Sequence, residues 1–107
     1  MLIVLLPDKF TKFVDYKYQI KYLKNNLKTK VEVNDLFSVV NKDWEKAFPG
    51  KRYGKIKIFN NFFQWKKYFK EKIKNVKNIK VINLLSLDSY TSLLIHYELY
   101  KSRIKII

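Results

Sequence analysis

Two short polar segments follow apolar stretches of the chain and could hold a ligand. One is residues 7–10, which follow Leu2–Leu6. The other is residues 86–90, which follow Ile79–Leu85. The carboxylates of Asp8 and Asp88 and the hydroxyl of Ser89 can form hydrogen bonds with polar groups of a ligand, and Lys9 can bind an anion. Asp and Ser are also preferred at helix N-caps, so capping alone is a second explanation.

Patterns typical of nucleotide binding and catalysis are missing from the sequence. The segment after Leu2–Leu6 has no glycine, so a pyrophosphate could not approach that backbone closely, and there is no P-loop pattern. His96 is the only histidine, and Glu98, two residues away, faces elsewhere on a helix. Cysteine is absent. We therefore expect no catalytic triad, metal site or cofactor, and we interpret His96 as a core or surface residue.

A second candidate surface is basic. Residues 50–81 contain 11 Lys or Arg against one acid, and the chain has a net charge of +14. Cations mixed with tyrosines are typical of single-strand nucleic-acid binding, and the same charge could attract an anionic membrane surface. The candidate residues are Lys51, Arg52, Lys55, Lys66, Lys67 and Lys70. The alternative is a solvated face enriched in lysine by AT-rich coding, because only Arg52 and Arg103 among the 23 basic residues are Arg.

Five stretches have the composition of β-strands. Leu2–Leu6 is a continuous apolar run, which is typical of a strand buried on both faces, and Ile79–Leu85 is mostly apolar. Residues 30–34 and 55–59 alternate apolar with polar side chains, which indicates half-exposed strands nearer a sheet edge. Ile104–Ile107 is the last strand.

Four helices separate these strands. Apolar residues recur every three or four positions over residues 10–27, 36–48, 60–76 and 90–102. The predicted core-facing positions are Phe10, Phe13, Tyr16, Ile20, Leu23 and Leu27; Leu36, Val40, Trp44 and Phe48; Phe62, Trp65, Phe69, Ile73 and Val76; and Tyr90, Leu93, Leu94, Tyr97 and Leu99.

Strict alternation of strands and helices predicts an α/β fold with a parallel sheet, right-handed crossovers and helices on both faces. A Rossmann-like, doubly wound five-stranded order, 3-2-1-4-5, puts the two apolar strands at the centre and residues 30–34 and 55–59 outward on one side. At 107 residues, the chain is predicted to form one domain, residues 1–107. Ligands bind such sheets where the first and fourth strands end, which is where residues 7–10 and 86–90 lie.

Several segments of the chain resemble, in their order, those of a known family. They are LIVLLP, YKYQIKYLKNN, KVEVNDL with Val31-Glu32-Val33 and Asp35-Leu36, and IKVINLLSLDSYTSLLIHYELYKSRIKII. Together they resemble the N-terminal, acceptor-side half of bacterial surface-polysaccharide glycosyltransferases of the two-domain GT-B kind. The resemblance covers most of the chain, and its motifs reflect the fold more than a specific chemistry.

The resemblance implies a domain that receives a carbohydrate acceptor. Its contacts would be Asp8, Lys9, Phe10, Asp88, Ser89 and Tyr90, none of them as an acid or base catalyst. In that family, a second Rossmann-like domain largely supplies the nucleotide-sugar site. We therefore expect either a fragment of such an enzyme or a small protein that kept the acceptor half, with no glycosyltransferase activity alone in either case. The expected location is the cytoplasm, with the inner face of the membrane as an option.

Two other classes of protein stay open. One is a small basic nucleic-acid-binding or accessory protein that uses the six basic residues above. The other is a structural interaction module whose exposed sheet edge docks a partner strand.

Overall fold

A computed structural model describes residues 1–44 and 50–107 of the chain. Its strands form one parallel sheet in the order β3-β2-β1-β4-β5. They are β1 (Leu2–Leu6), β2 (Val31–Asp35), β3 (Lys57–Ile58), β4 (Lys80–Asn83) and β5 (Lys105–Ile106). The α/β, Rossmann-like fold and its strand order are therefore confirmed.

Helices connect the strands along the chain. They are α1 (Lys12–Tyr18), α2 (Ile20–Asn26), α3 (Phe37–Val40), a 3-10 turn (Lys42–Trp44), α4 (Phe62–Asn75) and α5 (Tyr90–Ser102). Over the described residues, no helix combines the length and the apolar content that crossing a bilayer requires.

The core lies on both faces of the sheet, because successive side chains of a strand point to opposite faces. Ile3 and Leu5 pack under α4 and α5, together with Trp65 and Ile95. Val4 and Leu6 pack on the other face, against Val14 of α1 and Ile20 of α2. β1 is thus buried along its whole length, as its continuous apolar sequence predicts.

The prediction that β2 is half-exposed is wrong. Residues Glu32 to Asp35 are all buried. Glu32 and Asn34 pair in register with Ile3 and Leu5, so they lie on the α4 face of the sheet. Tyr68 Oη donates to Glu32 at 2.6 Å, and Trp65 Nε1 donates to Asn34 Oδ1 at 3.2 Å. The alternating polar residues are therefore satisfied by α4 and not by water.

The single helix predicted over residues 10–27 is divided at Gln19, which has left-handed backbone angles, φ 55° and ψ 40°. Asp15 of α1 stabilises the break, because its Oδ1 accepts a hydrogen bond at 2.8 Å from the backbone N–H of Lys21 in the first turn of α2. The break rotates the buried face. Phe13 and Tyr16, predicted to face the core, are exposed, whereas Val14 and Asp15 are buried.

The two following helices differ in how well the sequence predicts them. On α4, Trp65 and Phe69 are fully buried and Phe62 and Ile73 pack beside them, as predicted. Within the described residues, the helix predicted over residues 36–48 corresponds to α3 followed by the 3-10 turn, where Trp44 is exposed. Its predicted last turn, including Phe48, lies outside the described residues.

Helix α5 buries a different face from the one predicted. Its buried residues are Ser92, Ile95, Glu98 and Leu99. The predicted core residues Tyr90, Leu93 and Tyr97 are instead exposed. Only Leu99 and the half-buried Leu94 belong to the predicted set that is shielded from solvent.

Candidate functional site

The two predicted polar segments leave neighbouring strands at the same edge of the sheet. β1 and β4 are paired in parallel, and the Leu84 N–H donates to the Leu5 carbonyl at 3.1 Å just beyond the last paired residues. From there the chain after β1 turns to α1 on one face, and the chain after β4 turns to α5 on the other. Parallel α/β sheets bind ligands at such a divergence, and we call this edge, formed by residues 7–10 and 86–90, the crevice.

The first loop is held in place by Asp35 at the end of β2, which is fully buried. Its Oδ2 accepts hydrogen bonds from the Phe10 N–H and from Arg52 Nε, each at 2.8 Å. Its Oδ1 accepts from the Phe37 N–H at 3.2 Å. Arg52 Nη2 also donates to Ser38 Oγ at 3.1 Å. Asp35 therefore links β2 to the first loop, to α3 and to the segment that carries Arg52. The guanidinium of Arg52 compensates the charge of the carboxylate.

The structure gives the three candidate residues of this loop different surroundings. Asp8 is half-buried, and its Oδ2 accepts a hydrogen bond from Tyr18 Oη at 3.3 Å. The Lys9 Nζ lies 5.4 Å from the centre of the Phe37 ring. Phe10 is buried, and its ring stacks on Tyr53 with 5.5 Å between centroids.

The second loop enters α5 through a capping box. Ser89 Oγ accepts from the Ser92 N–H at 3.1 Å, and the Ser92 hydroxyl reaches back to the Ser89 N–H at 3.4 Å. Asp88 and Tyr90, on either side of Ser89, are exposed. The N-cap of α1 is Thr11 and not Asp8. Capping alone therefore explains Ser89, but it does not explain Asp8 or Asp88.

A hydrogen-bonded chain that sequence analysis missed lies beside the second loop. Asn83 Oδ1 accepts from the Leu85 N–H at 3.1 Å, so the Asn83 amide nitrogen must face His96 Nε2, which lies 3.1 Å away. His96 Nδ1 is 2.8 Å from the Ser92 carbonyl and must donate to it. These directions match the Nδ1–H tautomer of His96. The sequence held two signals for this chain. One is the polar residue Asn83 at the end of a central strand, and the other is the spacing of four residues between Ser92 and His96 on the next helix.

The six basic candidate residues do not form one patch. Arg52 is bonded to Asp35, and Lys66 Nζ lies 3.4 Å from Glu98 Oε1. Tyr53 and Ile56 pack on the α1 and α2 face of the sheet, whereas α4, which carries Lys66, Lys67 and Lys70, packs on the other face. Lys51, Lys55, Lys67 and Lys70 are exposed.

A different set of lysines does converge. A groove of about 650 Å³ at the outer side of β2 is lined by Lys24, Lys30, Lys55 and Lys57, along with Thr29, Val31, Glu32, Gly54 and Ile56. Glu32 is the only acid in this lining, and Lys72 Nζ already lies 3.5 Å from its Oε1.

Tyr53, Tyr68 and Glu98, which lie outside the crevice, have shifted pKa values. A hydrogen bond to Asp15, reinforced by burial, raises the pKa of Tyr53. Burial, with a hydrogen bond to Glu32, raises the pKa of Tyr68. Burial alone would raise the pKa of Glu98, but the hydrogen bond from Lys101 and the nearby charge of Lys66 outweigh it and lower that pKa.

The crevice offers binding groups for a polar ligand. Asp8 and Asp88 supply carboxylate acceptors, and Lys9 supplies a cation. In the described part of the chain, no three His, Cys, Asp or Glu side chains come together as a metal site would require. Fold and crevice together define a Rossmann-like α/β domain with a polar edge at its topological switch point. No protein-family model, curated protein or solved structure matches this chain.

Proposed function

We propose that this chain is the acceptor-side domain of a glycosyltransferase of cell-surface carbohydrate biosynthesis, and that it is not catalytic alone. The observation that carries the proposal is the pairing of β1 with β4, which brings residues 7–10 and 86–90 to one edge of a parallel sheet. Asp8 and Asp88 are not used as helix caps there, so their oxygens can accept hydrogen bonds from the hydroxyl groups of a sugar.

The remaining candidate residues have matching roles in this proposal. Tyr90 is 75% exposed beside Asp88, so its ring can pack against a sugar, and Lys9 can contact an acidic sugar. Phe10 and Ser89 shape the two loops from within, through the Tyr53 stack and the capping box. A separate domain would bind the nucleotide sugar. The glycosyl transfer would take place in the cytoplasm, at or near the inner face of the membrane.

The test is a titration of the isotopically labelled chain with hexoses, N-acetylhexosamines and their disaccharides, followed by backbone NMR. We expect shifts concentrated at residues 8–10 and 88–90. The Asp8→Ala and Asp88→Ala variants should weaken binding by about tenfold each, the loss of one charge-assisted hydrogen bond. Glu71→Ala, which removes an exposed acid of α4, is the matched control and should bind normally. Shifts spread over the surface, or none with any sugar, would refute the acceptor role.

A second candidate function, nucleic-acid binding, is favoured by the lysine-lined groove beside β2. Four lysines line it, and its one acid is already compensated by Lys72, so a phosphate backbone would find a concentrated positive field. Random-sequence oligonucleotides should then bind with an affinity that falls steeply with salt. The combined variant K24Q/K30Q/K55Q/K57Q should lose more affinity than the charge-matched K51Q/K67Q/K70Q/K74Q. Equal losses would indicate nonspecific attraction, and no binding at low salt would remove this candidate.

A further inference from the structure

Helix α5 carries a second apolar stripe that points to solvent. Tyr90, Leu93, Tyr97 and Tyr100 are 75%, 49%, 59% and 83% exposed, while the opposite side of the helix is buried against the sheet. A helix of a soluble domain normally has one apolar face and one polar face, as α4 does with its outward lysines. Within the described residues, no element covers this outer apolar face of α5.

Composition marks this face as distinct from the rest of the surface. Lys and Arg make up 23 of the 107 residues, yet residues 81–100 contain neither. A general enrichment in lysine would have reached the exposed positions of α5 as it reached those of α4. Protein interfaces are depleted in lysine and enriched in tyrosine, which is the combination found here.

The spacing of the stripe selects the kind of partner. The steps from Tyr90 to Leu93, Tyr97 and Tyr100 are three, four and three residues, which is the a/d spacing that packs one helix along another. The a and d positions of such a seam make up two of every seven residues of a helix. It is narrower than the broad apolar face with which a helix enters a membrane surface.

The charges that flank the seam select the partner further. Lys101 follows Tyr100, its Nζ lies 5.3 Å from the Tyr97 ring, and Arg103 ends the helix beyond it. The one acid on this helix, Glu98, is buried and paired with Lys66 and Lys101. A second copy of the chain would bring the same cations and a further charge of +14 to the seam, so self-association is disfavoured.

We propose that the outer face of α5 docks an amphipathic helix that has an apolar seam and acidic flanking residues. Tyr97 and Tyr100 are the central contacts, and Lys101 and Arg103 face the acidic flanks. This surface is independent of the crevice between β1 and β4, so it does not depend on the function proposed above.

The experiment uses the full chain and two synthetic helical peptides of three heptads. Both peptides have leucine at a and d; one has glutamate and the other lysine at every e and g position, which also keeps each peptide from pairing with itself. Fluorescence anisotropy should show the acidic peptide binding at least about tenfold more tightly than the basic one. The double variant Y97E/Y100E should abolish binding, whereas Tyr16→Glu, at an equally exposed tyrosine of α1, should not. Arg103→Glu, which leaves the pair of Lys101 with Glu98 intact, should reduce the preference for the acidic peptide.

Three results would overturn the proposal. The first is equal binding, or no binding, of the two peptides. The second is binding of the chain to phosphatidylserine vesicles that Y97E/Y100E removes, which would make the face a membrane contact. The third is a concentration-dependent dimer, detected by sedimentation, that the same variant dissociates. Circular dichroism of each variant must match the parent chain, which is expected because the substituted residues are exposed.

Discussion

The buried carboxylate of Asp35 lies 2.8 Å from Arg52 Nε, across 17 residues of chain that include the segment outside the described residues. Arg52 was a candidate for binding an external anion, but the structure places it on an internal one. The same carboxylate bonds the Phe10 N–H, so this ion pair also sets the position of the first loop of the crevice.

Replacing Asp35 with alanine should lower the free energy of unfolding by about 3 kcal/mol, because Arg52 and two backbone N–H groups would lose their acceptor in a buried place. Urea denaturation measures the change. Asp88→Ala, at an exposed acid of the same crevice, should change stability by less than about 0.5 kcal/mol. Equal effects of the two substitutions would contradict the structural role of Asp35.

Glu98 should make stability depend on acid pH in a direction that its two lysines determine. Because Lys101 and Lys66 lower its pKa below the ordinary 4.5, its contribution is fully present above that value and is lost as the pH falls through the lowered pKa. In K66Q/K101Q, the buried carboxylate has no cation and its pKa should rise. Acidification toward pH 4.5 should then relieve part of the destabilisation of that variant. Urea denaturation across this pH range, with Lys67→Gln as the control, measures both trends; parallel pH profiles would contradict the assignment.

Tyr68→Phe removes the hydroxyl that donates to Glu32 and should cost about 1–2 kcal/mol of stability. The pKa of Tyr68 is raised above the ordinary 10.0, so the folded state holds this proton more tightly, and stability must fall as the pH rises past that value. Alkaline titration followed by tyrosinate absorbance should lose its latest component in the variant. Tyr97→Phe, at an exposed ring, should leave that component in place.

Gln19→Gly should stabilise the protein by about 0.5–1 kcal/mol, because glycine adopts the left-handed backbone angles of this position without a steric cost. Gln19 is exposed, and the hydrogen bond that would be lost, from its Nε2 to the Tyr16 carbonyl, is at the surface. Gln19→Val should destabilise instead. Thermal unfolding measures both changes, and a loss of stability in the glycine variant would mean that the side chain, and not the backbone, matters at this break.

The order of the sheet was predictable because it depends on patterns local to each strand. The apolar runs of β1 and β4 required central places, and the alternation in β2 and β3 required outer ones. The burial of β2 was not predictable in this way, because the groups that satisfy Glu32 and Asn34 come from α4, more than thirty residues later. The break at Gln19 was hidden by an uninterrupted period of apolar residues, and only the capping of Lys21 by Asp15 reveals it.

The candidate crevice shows the same division. Residues 7–10 and 86–90 could be nominated because strand order alone fixes where their loops emerge, and their role in binding stays a prediction. Asn83, His96 and Asp35 were missed because each acts through partners that only the folded chain brings near. On α5, tyrosines and leucines on both sides of the helix gave no contrast between faces, so the buried face was assigned wrongly.

Each flank of the sheet ends on a strand of only two residues, and both strands begin with a lysine, Lys57 in β3 and Lys105 in β5. A neighbouring molecule that added a strand to the sheet could pair with only two residues of the edge strand, and it would have to desolvate the charge of the lysine. A chain this rich in isoleucine and phenylalanine would otherwise be at risk of stacking into fibrils. The short outer strands should therefore keep the protein dispersed at concentrations where longer apolar edges would nucleate amyloid.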